Sequence, residues 1–241
     1  MSRPPCDANA RDAPEVEAPP AINDARPSPP GPARAAVTIR DGHPGDAGVP
    51  DLLYLSSAPL YDTYAGSPER ARRLLALAYR RGGHSASHDV CRVAETEGTA
   101  AGVLAGFRVD GGSRLARRFV SITLRRMPPS QWAAARRVLR ATDALVADPP
   151  PGTFYIDALA VAGKARGRGV AHALLHDAEE RARLAGCTAL ALETQLDNHG
   201  AQRVYERFGF RQGAHYEAEP EVARLLGTPG YMAYVKELPA G

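Results

Sequence analysis

The residues that most clearly invite chemistry lie in Leu159–Leu175, LAVAGKARGRGVAHALL. An apolar run leads into a loop holding Arg166, Gly167, Arg168 and Gly169, and a helical pattern with Val170 and Ala171 follows at once. The first turn of a helix carries free backbone N–H groups and the positive end of the macrodipole, so it suits an anion. Glycines let that anion approach the backbone without a Cβ in the way. The two arginines add charge-assisted donors. A phosphate-bearing ligand is the natural reading.

Two familiar phosphate loops are excluded. A Walker A loop needs GxxxxGK followed by Ser or Thr, and none occurs. A dinucleotide fingerprint would need Gly or Ala where this chain has His172. What is left is Arg-x-x-Gly-x-Ala, from Arg166 through Gly169 to Ala171.

A second constellation follows: Asp197-Asn198, Ala201, Tyr205 and Gly209-Phe210, in the pattern DNxxAxxxYxxxGF. With the strand LAV and the loop RGRGVA, it resembles the acetyl-CoA core of the GNAT superfamily of N-acetyltransferases. The resemblance covers about Thr153 to Phe210, and the flanks from Ala35 to Leu238 are compatible with it. One departure is Ala162-Gly163, where relatives often carry Pro or a polar residue; no needed donor is lost.

The resemblance implies an α/β fold with a mixed, mostly antiparallel sheet of six or seven strands flanked by helices. It implies acetyl-CoA as co-substrate, no metal, and transfer of the acetyl group to an amine by direct attack in a ternary complex. Leu159, Ala160 and Val161 would pair their backbone with the pantetheine arm. Arg166, Gly167, Arg168, Gly169, Val170 and Ala171 would hold the pyrophosphate. Asn198 and Ala201 would contact the cofactor, and Tyr205 would protonate the departing thiolate. An amine is mostly ammonium at neutral pH and must lose a proton before it attacks. Asp157 is the first candidate base, placed by strand alternation on one face with Tyr155, Leu159 and Val161; Glu193 is the second. A catalytically silent CoA-binding module of the same fold is the alternative.

Blander readings stand beside these. Ala201, Val204, Tyr205 and Phe208 share a helix face that would be core in any helix. Asn198 alone would be a helix N-cap. His172 and His176 lie at i, i+4, but no Glu follows the first of them as in HExxH, so they read as a solvated stripe. Eight arginines (Arg114, Arg117, Arg118, Arg125, Arg126, Arg136, Arg137, Arg140) read as a solvated helix face, or as attraction for an acidic substrate or the CoA phosphates.

The surrounding elements must position this chemistry. Ala36–Arg40 alternates like a strand, Pro44–Ser57 reads as a helix, and Ser67-Pro68-Glu69 as a capped helix start. Asp89–Glu95 and Thr99–Arg108 form a hairpin about Glu97-Gly98. Ser113–Asp148 reads as helical, Thr153–Val161 as a strand, and Gly169–Leu184 as a helix with a buried stripe of Ala171, Leu174, Ala178, Ala182 and Ala185. Strand Thr188–Thr194, helix Ala201–Phe208 and strands Phe210–Glu217 and Tyr231–Leu238 close the fold.

Composition sets the frame. Of 241 residues, 44% are hydrophobic and 24% charged, as in globular proteins. Residues 1–34 are rich in proline, with only Val16 and Ile22 as large aliphatics, and read as a disordered tail before a domain over 35–241. Three widely spaced cysteines fit neither a disulfide framework nor a zinc site. No apolar run approaches the roughly 20 residues of a membrane span. A cytoplasmic enzyme is expected, with an amine as partner, a homodimer admissible, and neither membrane nor nucleic acid.

Overall fold

The computed structural model of the chain describes residues 36–146 and 149–239; the segment read as a tail lies outside them. Seven strands are present: β1 (Thr38–Asp41), β2 (Cys91–Thr96), β3 (Thr99–Arg108), β4 (Thr153–Val161), β5 (Ala189–Gln195), β6 (Arg211–Glu217) and β7 (Gly230–Glu237). They form one sheet in the order β1-β2-β3-β4-β5-β7-β6. Every pairing is antiparallel except β4 with β5. The expected mixed, mostly antiparallel sheet is thus present.

Helices cover both faces. Buried side chains of α1 (Val49–Ser56), α2 (Ala58–Ala65), α3 (Pro68–Tyr79), α5 (Trp132–Asp143) and α8 (Pro220–Leu226) share a core with Val93, Val103, Ala158, Ala160 and Tyr231 of the sheet. On the second face, α6 (Val170–Leu184) and α7 (His199–Phe208) pack on Leu104, Phe154, Ile156, Leu190, Leu192 and Tyr234. Removing side chains such as Leu174 and Leu175 from water stabilises the second core by about 1.5–3 kcal/mol each. Its α6 stripe is Val170, Leu174, Leu175, Ala178 and Ala182; Ala171 and Ala185 are only half-buried.

Local chemistry sets the helix ends. The Ser67 hydroxyl accepts the Arg70 amide at 3.2 Å, with Pro68 opening α3, as the sequence suggests. The helical stretch expected over Ser113–Asp148 divides into α4 (Val109–Leu124) and α5, because Pro128 and Pro129 cannot continue a helix. The helix expected from Pro44 starts only at Val49. Two helices come without a clear sequence signal, α2 and α8. Each has eight residues or fewer, too short for apolar periodicity to register.

Candidate functional site

The residues expected to hold an anion lie in the loop after β4 and the first turn of α6. Gly169 is the N-cap of α6 with φ +86°, a conformation that costs other residues strain. No side chain caps this helix, so its first amides have no side-chain acceptor. A Cβ built on Gly167 or Gly169 would meet nothing within 4 Å, so open space lies in front of the backbone. Arg166 and Arg168 are exposed beside it. Val170 is buried and anchors the turn, whereas Ala171 is half-buried.

Next to this turn the sheet splits. Strands β4 and β5 pair only over Thr153↔Ala189, Phe154↔Leu190 and Tyr155↔Ala191. Beyond, β4 continues to Val161 on β3, and β5 continues to Gln195 on β7. A wedge opens between them. Leu159, Ala160 and Val161 pair with Leu104, Val103 and Gly102 on one edge only, leaving their other edge toward the wedge. Backbone donors and acceptors on such an edge can take an extended ligand as a further strand would be taken.

Two carboxylates lie on the first face. The β3–β4 register shifts between Ala105 and Gly106, which pair with Ala158 and Ile156, so Asp157 is the extra residue of a β-bulge. A Cβ on Gly106 would meet the Phe154 ring at 2.6 Å, so this close approach requires glycine. The bulge overturns simple alternation. Ala158 and Ala160 belong to the first core, while Leu159 and Val161 pack against the second. Asp157 therefore does not share a face with Leu159 and Val161. It acts electrostatically on Tyr61 of α2 and Cys91 of β2, both on the first face. Glu193 lies there too, paired with Ala233 two rungs from Gln195↔Tyr231 and so on the same face, and accepts a hydrogen bond from the Tyr155 hydroxyl.

Burial, then the charge of Glu193, pushes the Asp157 carboxyl up to about 7. By surface area the Asp157 side chain is exposed to water, yet protein crowds round it and replaces much of its bulk hydration. Burial raises Glu193 to about 7 as well, against the hydrogen bond from Tyr155. Among the described residues, neither carboxylate has an Arg, Lys or His within ion-pair distance.

The remaining candidates lie on the second face. The Tyr205 ring is buried against Phe210 and Tyr234, at 5.9 and 5.7 Å between centroids. Burial raises its phenol, and its hydroxyl has no hydrogen-bond partner among the described residues. Asn198 caps α7, accepting the amide of half-buried Ala201 at 3.2 Å, which leaves its own NH₂ uncommitted. Tyr205 and the carboxylates are thus on opposite sides of the sheet, and only a group lodged in the wedge could meet both.

Other residues fall outside this arrangement. His172 and His176 are exposed and pack edge-on against Phe208 at 5.1 and 4.8 Å. The eight arginines are exposed, without ion-pair partners among the described residues. No described group of three or more His, Cys, Asp or Glu could hold a metal ion. No described helix is long and apolar enough to cross a membrane. Sequence reasoning misses Tyr61, Tyr231 and Gln195, whose buried Nε2 has no hydrogen-bond partner. Register alone brings Tyr231 and Gln195 beside Glu193, and no motif signals it.

Comparison with known proteins identifies the family and the fold. Residues 58–210 match the acetyltransferase (GNAT) family. An acetyltransferase of Agrobacterium fabrum is 42% identical over 69 residues, covering 29% of this chain and 49% of that protein. The matched segment thus spans about half the length of that curated relative. A crystal structure of an acetyltransferase superposes with a TM-score of 0.58 at 20% identity, over 84% of this chain and all of the other. A Bacillus subtilis acetyltransferase, solved in complex with CoA, gives 0.50 at 15% identity, over 85% of this chain and 100% of its own. At such identities the likeness shows the shared fold.

Proposed function

The chain belongs to the GNAT acetyltransferase family, and from that premise we propose that it transfers an acetyl group from acetyl-CoA to an amine. The observation that carries the proposal is the wedge between β4 and β5 beside the uncapped start of α6. The two features fit the two ends of one ligand, an extended arm along a strand edge and a diphosphate on a helix N-terminus. The Bacillus subtilis relative was solved with CoA, which supports the same ligand class.

The residues divide the work as follows. The amides from Gly167 to Ala171, with Arg166 and Arg168, hold the diphosphate. The free edge of Leu159–Val161 holds the pantetheine arm and polarises the thioester carbonyl. Asn198 donates its free NH₂ to the same arm. Asp157, directly or through water, takes the proton that the ammonium must lose, with Glu193 beside it as the second carboxylate. A group with a pKa near 7 is suited to that exchange at neutral pH. Tyr205 keeps its phenol protonated and gives the proton to the departing thiolate from the other side of the sheet.

The test is a screen for acetyl-CoA-dependent thiol release across primary amines, with product mass confirming the transferred acetyl group. Turnover with at least one amine supports the proposal. CoA binding without turnover on any amine would favour the silent module.

A further inference from the structure

We propose that the acceptor is a cationic primary amine with no carboxylate near its nitrogen, such as a decarboxylated amino acid or a diamine. This rests on the acetyltransferase reading and narrows its substrate.

The two carboxylates of the first face have no cation paired with them among the described residues. Asp157 and Glu193 come from neighbouring strands, and the Tyr155 hydroxyl ties Glu193 to the bulged strand that carries Asp157. Tyr61 of α2 and Tyr231 of β7 complete the surroundings. Glu193 is the charged group that acts on Asp157, and the Tyr155 hydroxyl acts on Glu193; the Arg181 guanidinium acts on Cys91 and on neither acid. The uncommitted donor nearby, the Gln195 amide, is neutral.

Two acids without a built-in cation attract an ammonium, and phenol rings accept its charge on their faces. An α-amino acid would bring its own carboxylate within a few ångströms of both acids, and like charges in a partly desolvated site repel strongly. Discrimination against it comes from that repulsion rather than from shape.

The experiment compares matched pairs in which the amino acid's one amine is its α-amine: tyramine with tyrosine, and tryptamine with tryptophan. Values of kcat/KM at saturating acetyl-CoA are expected to favour each decarboxylated partner by about 100-fold or more. In Glu193→Gln the preference should shrink by about tenfold, since one of the two repelling charges is gone. Parity within the pairs, or preference for the amino acids, overturns the inference and leaves the acetyltransferase reading intact. Titration calorimetry with acetyl-CoA tests that reading separately: no binding overturns it. If none of the four compounds turns over, calorimetry on the CoA-loaded protein decides. Binding of tyramine or tryptamine above its amino acid upholds the inference, and binding of neither overturns it.

Discussion

The Tyr155 hydroxyl donates to the Glu193 carboxylate across the point where β4 and β5 part. Tyr155 opposes Ala191 on the last paired rung, and Glu193 is the next residue of β5 on the same face. The bond therefore fixes a carboxylate at the mouth of the wedge, one bulge away from Asp157. In Tyr155→Phe that restraint disappears. Its expected signature is a loss of about tenfold in kcat with little change in KM for acetyl-CoA, because the cofactor cradle lies elsewhere. An equal loss in acetyl-CoA affinity would show that Tyr155 supports the cradle as well.

The raised carboxyls tie stability to pH. Unfolded, Asp157 loses its proton near 3.8; folded, it holds it to about 7. Between these values the folded state binds more protons, so stability falls as pH rises from about 4 to 7. Glu193 acts in the same direction over the same window. Asp157→Asn should raise Tm at pH 8 and change it little at pH 4. A lower Tm at pH 8 would contradict the burden assigned to this carboxylate.

Activity should follow the same titration. The groups facing the pair are Tyr61 from α2, Cys91 from β2, Tyr155 from β4 and Tyr231 from β7, all of which stay neutral near pH 7. The rising limb of kcat/KM is then expected near pH 7, and Asp157→Ala should lower kcat by ~10²–10⁴-fold. A profile that rises only with the free amine's own pKa would remove the base from the mechanism.

Tyr205→Phe keeps the ring packed against Phe210 and Tyr234 and removes only an unpaired hydroxyl. Tm should hardly move, while turnover falls by ~10²-fold or more. Unchanged turnover would assign the residue to packing.

Sequence and structure agree best where local chemistry decides. The Ser67-Pro68 start, the β4 limits and the Gly169 turn all follow from residues whose backbone preferences are strong. The backbone turn that the proposed cradle residues Arg166–Ala171 make is legible for the same reason. The acceptor side is not. The bulge at Asp157 reverses the face assignment of Leu159 and Val161, and it shows only in the register with β3, a strand distant in the sequence. Tyr61 and Tyr231 reach the carboxylates only through tertiary packing, to which neither period nor motif is sensitive. Short helices such as α2 owe their stability to the core they cover rather than to their own propensity.

The cradle itself is tested most directly by a crystal structure with coenzyme A, together with acetyl-CoA affinities of Gly169→Ala and Gly169→Glu. Alanine adds only left-handed strain of about 1 kcal/mol, since its Cβ enters open space. Glutamate puts a negative charge at the phosphate position and should weaken binding by about 100-fold or more. In the crystal, the diphosphate should lie within hydrogen-bond distance of the amides between Gly167 and Ala171, with the arm entering between β4 and β5. A diphosphate bound elsewhere, or a Gly169→Glu protein with undiminished affinity, would contradict the account.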